Sequence, residues 1–361
     1  MLRDYCSMPF NNVLQITRRH WLMAAAVTGV APLMATSASA QQRSAPLSIG
    51  ALFAGQVKDG GFMEAGWRGL EKARLELGVQ TRYIDDILPK KDQLAAALTQ
   101  LATSGVDLVI AHGGQNNEAC AEVAAHFPNI KFVVTQGSVS SRNLASYEVQ
   151  QEDSAYLAGV LAALTTRTGV VGHMSGIRVR PGLKGRAAYA AGVRATNPQV
   201  KLLTNFSGNQ DDNALSHRIA TAQIAAGADV IFTMLNAGRT GTIEACRTHG
   251  ARQIGNVGDW VASDPAVFIG SAIADVSIGS AIADVSIGVF EAVRDAQANV
   301  FPAGKIRKMG IANRQAVRLS MAADVNADVR ARIDAAASDI ASGRISLSDV
   351  FEGPEFPNPT T

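Results

Sequence analysis

From Leu47 to Gly250, short apolar runs of strand length alternate with longer amphipathic runs, and this alternation restricts the fold more than any other feature of the sequence. "LSIGALFA" reads as a strand, "GFMEAGWRGLEKARLELG" as a helix ending at Gly78, "QTRYIDD" as a strand and "KKDQLAAALTQLATSG" as a helix ending at Gly105. "VDLVIAHGG", the helix "NNEACAEVAAHF" and the strand "IKFVVTQG" continue the series. Strands that stay apolar at nearly every position belong in a sheet covered on both faces, so the pattern is the βαβ rhythm of a doubly wound parallel sheet.

After the polar stretch "SVSSRNLASYEVQQED", read as a crossing between lobes, the rhythm resumes with the helix "SAYLAGVLAALTTRTG", the strand "VVGHMSG", the helix "LKGRAAYAAGVRATNP" and the strand "VKLLTNF". "NALSHRIATAQIAAG", "ADVIFTML" and "TGTIEACRTHG" extend it as helix, strand and helix. In a chain of 361 residues with 47% hydrophobic positions, two successive series make two doubly wound α/β lobes that face one another across a cleft at the carboxyl ends of their strands. The expected organisation is a first lobe over 46–148, a second over 149–255, a return to the first over 256–300, and a strand and helix over 301–361 that complete the lobes. Within the last part, "FPAGKIRKMGIANRQAVRLSMA" reads as a strand or hairpin and "VNADVRARIDAAASDIASG" as a helix, with their lobe left open.

Residues 1–40 read as a targeting segment. "TRRHWLM" precedes an apolar run from Ala24 to Met34 and the small-residue pattern Ala38-Ser39-Ala40. The expectation is a twin-arginine export signal, cleaved before Gln41, and a periplasmic mature protein. A transmembrane anchor is disfavoured, because a run of about eleven residues falls short of the ~20 that a span requires. Loss of the segment removes Arg3, Arg18, Arg19 and Asp4, which takes 33 basic and 31 acidic residues to 30 of each. No electrostatic footprint for nucleic acid or an anionic membrane is left. Cys120 and Cys246 fall in separate predicted helices and are expected as buried apolar side chains rather than as a disulfide framework.

"IGSAIADVS" occurs twice in succession over residues 269–286. Nine extra residues inside an element would turn its face by about half a turn, so the duplication belongs at an element boundary. The first copy is expected to finish a strand "AVFIGSAIA", the second to lie in a loop or to extend the next helix at its N-terminus.

The six histidines show no metal-ligand spacing, and no nucleophile elbow, P-loop or dinucleotide fingerprint is present. No metal, cofactor or catalytic residue is therefore assigned. Ser175 in "GHMSG" is read as an ordinary strand-end serine and His173 as a sheet-end polar residue. Instead, polar glycine-containing segments recur at strand ends: "KDGGF", "HGGQNNE", "GNQDDN", "NAGRTG" and "GNVGDW". Together they favour a neutral, hydrogen-bonding small molecule, with Asp59, Glu118 and Asp259 as acceptors and Phe62 or Trp260 covering an apolar or planar face. For Asp59 the competing role is that of a cap on the helix that follows.

"KDGGFMEAGWRGLEKARLELGV", "HFPNIKFVV", "YLAGVLAALTTRTGVVGHMSG", "GADVIF" with "AGRTGTIEA", and "GDW" with "FIGSAIADVS" together resemble the basic membrane protein family of substrate-binding proteins, from about Leu47 to Pro354. That family includes the purine nucleoside receptors of bacterial ABC importers. The resemblance implies a type I periplasmic-binding-protein fold, a monomer, a nucleoside-like ligand and a membrane permease as partner. It places ligand contacts at Asp59, Phe62, Glu118, Gly238 and Asp259. Departures from the family pattern fall at Met63 (Asn in the family), at Gln210 (a stacking Phe) and at Ala274 or Ala283 (a Lys). They alter the hydrogen-bond inventory, so the expected ligand is a purine nucleoside or a nucleobase-like molecule. The alternative is an exported enzyme acting on a nucleoside or sugar, with Asp59 or Glu118 as general base. A third reading is a ligand sensor that docks to a membrane receptor.

Overall fold

The computed structural model describes residues 45–359 apart from 258–259, 265 and 274–284. The expected export signal, Asp259 and the join between the duplicated nonapeptides lie outside the described residues. The first series comprises β1 (Ser48–Phe53), α1 (Phe62–Leu77), β2 (Gln80–Ile84), α2 (Lys91–Thr103), β3 (Leu108–His112), α3 (Asn117–His126), β4 (Lys131–Thr135) and β5 (Leu144–Val149). The second comprises α4 (Gln151–Thr165), β6 (Val170–Ser175), α5 (Arg180–Thr196), β7 (Lys201–Phe206), α6 (Asn213–Ala225), β8 (Val230–Met234), α7 (Arg239–His249), β9 (Arg252–Asn256), the short α8 (Trp260–Ser263) and β10 (Phe268–Ile273). The chain ends with α9 (Val285–Gln297), β11 (Ile306–Met309), β12 (Arg318–Met321) and α10 (Ala327–Ala341).

These strands form two six-stranded sheets, in the orders β11-β5-β4-β3-β1-β2 and β12-β10-β9-β8-β6-β7. The first is parallel throughout; in the second, β12 alone runs antiparallel, against β10. Every residue of β3 and β5 is buried, as strands covered on both faces must be. The long α4 is buried from Gln151 to Ala163 and packs on α5 through Gly159 and Gly192. A Cβ on Gly159 would stand 2.2 Å from the Tyr189 carbonyl oxygen, so the two backbones meet where no side chain fits.

Three expectations are corrected. The stretch "SVSSRNLASYEVQQED" is not merely a crossing: it contains β5, and α4 begins within it at Gln151. Its polar letters mislead because Glu148 and Glu152 are buried in ion pairs with Lys184 and Asp153 is buried beside them, rather than solvated. Residues 256–300 do not all return to the first lobe, because β10 pairs with β9 and completes the second sheet. The first lobe is rejoined only by α9, which lies so close to α1 that a Cβ on Gly69 would stand 2.3 Å from the Ser286 carbonyl oxygen. Finally, β11 and β12 are not a hairpin, since β11 joins the first sheet and β12 the second. The lobes are thus linked by β5 to α4 and by β11 to β12, and again between β10 and α9.

Candidate functional site

The carboxyl ends of β1, β3, β6, β8 and β9 converge on a cavity of about 320 Å³ lined from both lobes. That is the low end of the range for small-ligand pockets. The first lobe supplies Phe62 and Met63 from the start of α1, Gln115 from the turn after β3 and Asn117 from the start of α3. Gln151, at the first position of α4, also lines the cavity. From the second lobe come Ser175 to Ile177 and Val179 to Gly182 around the start of α5, Gln210, Met234, Asn236 and Asn256.

Phe62 is fixed from behind. Its ring stacks on His112 with centroids 4.3 Å apart, and its carbonyl oxygen lies 2.9 Å from His112 Nε2. The other imidazole nitrogen lies 2.7 Å from Thr135 Oγ1. Burial lowers the His112 pKa to about 4, so the ring is a neutral platform at physiological pH.

Asp59 takes the capping role. Its Oδ1 accepts from the backbone N–H of Gly61 at 2.8 Å and of Glu64 at 3.1 Å, and its Oδ2 from that of Met63 at 3.1 Å. Glu64 Oε2 reaches back to the Gly60 N–H at 3.0 Å, so the two acids together close the first turn of α1. With its oxygens spent on the backbone, Asp59 does not line the cavity. Its charge instead faces the second lobe, where it opposes the effect of burial on Arg239, whose pKa falls to about 10. The lobes also meet directly, since a Cβ on Gly61 would stand 2.8 Å from Asn236 Oδ1.

Of the other expected contacts, Met63 and Gln210 border the cavity with Phe62, whereas Glu118, Gly238 and Trp260 do not. Glu118 is exposed on the first turn of α3, and the Lys91 ammonium of α2 pairs with Glu122 rather than with it. Gly238 lets the Gln210 loop approach: its N–H donates to the Gln210 carbonyl at 3.1 Å, and a Cβ there would stand 2.8 Å from that oxygen. Trp260 lies under the Arg239 guanidinium, 4.1 Å from its ring centroid, and its Nε1 donates to the Asn256 carbonyl at 2.9 Å. Arg239 and Trp260 therefore position Asn256 from outside the cavity.

Sequence reasoning missed the amides that do face inward. Asn256 is 8% exposed, and its Oδ1 is buried without a hydrogen-bond partner. The side chains of Gln151 and Asn236, 7% and 9% exposed, likewise have no partner among the described residues. Asn236 and Asn256 fell inside the recognised strand-end segments "NAGRTG" and "GNVGDW", but carboxylates were favoured over them. Gln151 lay in the stretch read as a crossing and Arg180 between the predicted strand "VVGHMSG" and helix "LKGRAAYAAGVRATNP", and neither gave a signal.

Arg180 is the one charged side chain among the described residues lining the cavity. It pairs with Glu148 at 2.6 Å; Lys184 pairs with the same carboxylate at 2.9 Å and also with Glu152. Two cations face two carboxylates, and the buried Asp153 stands beside them. A ligand anion would meet no net positive charge there.

Ser175 borders the cavity with its Oγ 3.2 Å from His173 Nε2, while His173 Nδ1 lies 2.8 Å from Thr204 Oγ1. Burial drives the His173 pKa down to about 3, far below what a general base near neutral pH needs, so the pair anchors β6 and β7 rather than activating the serine. Cys120 and Cys246 are free and buried, as expected of small apolar side chains. Among the described residues there is no cluster suited to a metal ion, and no helix is long and apolar enough to cross a membrane.

Comparison with known proteins agrees with this geometry. The model of the Bmp family, described as "ABC transporter substrate-binding protein PnrA-like", matches residues 47–348. An ABC transporter nucleoside-binding protein of Lactococcus lactis is 26% identical over 191 residues, 52% of this chain and 53% of that one. A purine-binding protein of Brucella abortus is 21% identical over 221 residues, 61% and 62% of the two chains. The chain thus spans only about half to three fifths of these relatives. The crystal structure of an ABC transporter solute-binding protein from Aeropyrum pernix superposes with a TM-score of 0.73 at 20% identity, over 85% of this chain and 94% of that one.

Proposed function

For a chain that belongs to the Bmp family of PnrA-like ABC transporter substrate-binding proteins, we propose the role of an extracytoplasmic solute receptor for an importer, taking one neutral, nucleobase-containing molecule into the interlobe cleft. The observation that carries this reading is the buried Oδ1 of Asn256, which has no hydrogen-bond partner, with the Gln151 and Asn236 side chains beside it in the cavity lining and unbonded among the described residues. An amide offers two donors and an acceptor, and each one left unpaired in a buried site costs about 1–3 kcal/mol. A planar heterocycle, whose edge presents donors and acceptors side by side, completes such groups as well as it does the Asn and Gln side chains that read adenine. The relatives named for nucleoside and purine binding favour the same class. Phe62 supplies a ring for the planar face, Met63 and Met234 adaptable apolar contacts, and Gln210 a further amide.

Charge selects against anions. The balanced cluster of Arg180, Lys184, Glu148 and Glu152 leaves Arg180 able to donate to a carbonyl without recruiting a net negative ligand. Lobe closure brings Gly61 to Asn236 and Asp59 toward Arg239, so a ligand in the cleft would be sealed from water and the permease would read the closed form. In this reading the protein works as a monomer and reaches the periplasm through the signal at residues 1–40.

Native mass spectrometry of the protein as purified, followed by incubation with a nucleoside panel and chromatography, tests the proposal. A single neutral heterocyclic adduct returned unchanged is expected. An anionic adduct, or consumption of a nucleoside, would contradict it.

A further inference from the structure

Beyond α10, the chain runs back along the outer edge of the second sheet. The Phe356 N–H donates to the Thr204 carbonyl at 2.7 Å, and the Asn358 side chain donates to the Phe206 carbonyl at 2.9 Å, so the segment covers the exposed edge of β7. Between these points and Phe351 lies Glu355, whose two carboxylate oxygens pair with Arg178 and Arg186. Both guanidiniums lie over the Phe206 ring, 4.6 and 4.7 Å from its centroid, and Arg186 is also 4.6 Å from that of Phe351. Arg178 sits between Ile177 and Val179, which border the cleft, and is followed by Arg180.

We propose that residues 351–358 form a strap that holds the 176–182 loop in its ligand-receiving conformation, with Glu355 as the positioning residue. Drawing Arg178 outward onto Phe206 leaves the alternate side chains Ile177 and Val179 turned to the cleft and sets the start of α5. The backbone fixes the loop at its ends, where the Gly176 N–H donates to the Met234 carbonyl, the Gly208 N–H to the Gly176 carbonyl and the Leu183 N–H to the Val179 carbonyl, but between them the Val179 N–H reaches only Ile177. Besides the Arg180 pair with Glu148, the strap supplies a second charge-paired anchor, this one with an aromatic floor. If a released loop spends about nine-tenths of its time elsewhere, the apparent affinity for any cleft ligand falls about tenfold. As a statement about binding this rests on the proposed receptor function; as a statement about the loop it does not.

Hydrogen exchange on the full chain tests the two separately. Glu355→Gln and Arg178→Gln are expected to speed exchange at the Val179 and Leu183 amides by about tenfold or more, while α10 stays unchanged. Glu352→Gln, a neighbouring exposed acid, is the control and leaves all of them unchanged. Titration with inosine should then show about tenfold weaker binding in both strap variants. Unaltered exchange at Val179 and Leu183 overturns the strap. Failure of the unmutated protein to bind inosine counts against the receptor reading alone, and the exchange data still decide the strap.

Discussion

Asp153→Asn should stabilise this protein, and by an amount that depends on pH. Asp153 is 5% exposed in the first turn of α4, and its Oδ2 accepts from the Ile311 N–H at 2.9 Å, tying the β5–α4 link to the β11–β12 link. Burial raises its pKa from 3.8 to about 6, with Glu152 adding to the rise and the Ile311 N–H, Lys184 and Lys308 opposing it. A carboxyl whose folded value exceeds its unfolded one binds its proton more tightly when native. Its penalty is therefore small near pH 4, grows as pH rises to 6, and is complete above that. The gap corresponds to about 3 kcal/mol at pH 7 and about 0.6 kcal/mol at pH 4, at 1.36 kcal/mol for each pH unit. Asparagine keeps an acceptor for Ile311 and carries no charge, so the variant should gain roughly 1–3 kcal/mol at pH 7 and almost nothing at pH 4. Urea unfolding of both proteins across that range measures the difference, in which the contributions of His112 and His173 cancel. A variant less stable than its parent at pH 7, or a difference flat with pH, would refute the reasoning.

Lys184→Met removes the cation held between Glu148 and Glu152 and should cost about 3–5 kcal/mol at pH 7; a loss under about 1 kcal/mol in urea unfolding would show the cluster to be solvated. Asp59→Ala should cost about 1–2 kcal/mol in thermal unfolding and Asp59→Asn only a few tenths, as for a helix cap. Ligand affinity in Asp59→Asn should stay within about threefold of the parent; a loss beyond tenfold would return the carboxylate to the ligand.

Much of the architecture was legible because it follows from period and burial. The mainly apolar β3 and β8 and the helices ending at Gly78 and Gly250 announce themselves, as both glycines take the left-handed conformation that ends a helix. What escaped was set by tertiary partners. Glu148 and Asp153 look like loop residues until Lys184 and Ile311 are seen beside them. The apolar letters of β10 say that it is covered but not by which lobe, so its sheet could not be read. At the cavity, the strand-end segments recur in the lining, with Phe62, Met63 and Gln210 among the expected residues, while Asp59 and Glu118 stand outside it. Carboxylates look like ligand acceptors in a sequence, yet the three N–H groups at the start of α1 take up Asp59, and Glu118 turns away to solvent. Asn256 faces inward only because Arg239 and Trp260 hold its carbonyl, an arrangement assembled by two loops and a helix start.

The account rests on the unpartnered amides as the groups that read the ligand. Calorimetric titration of the parent protein, Asn256→Leu and Asn236→Leu with inosine and hypoxanthine measures this most directly. Removing an amide that pairs with a heterocycle edge should weaken binding by about 1–3 kcal/mol, roughly five- to a hundredfold, with the folded state intact by circular dichroism. The account predicts that loss in both variants and for both probes. Tight binding undiminished in both variants would contradict it.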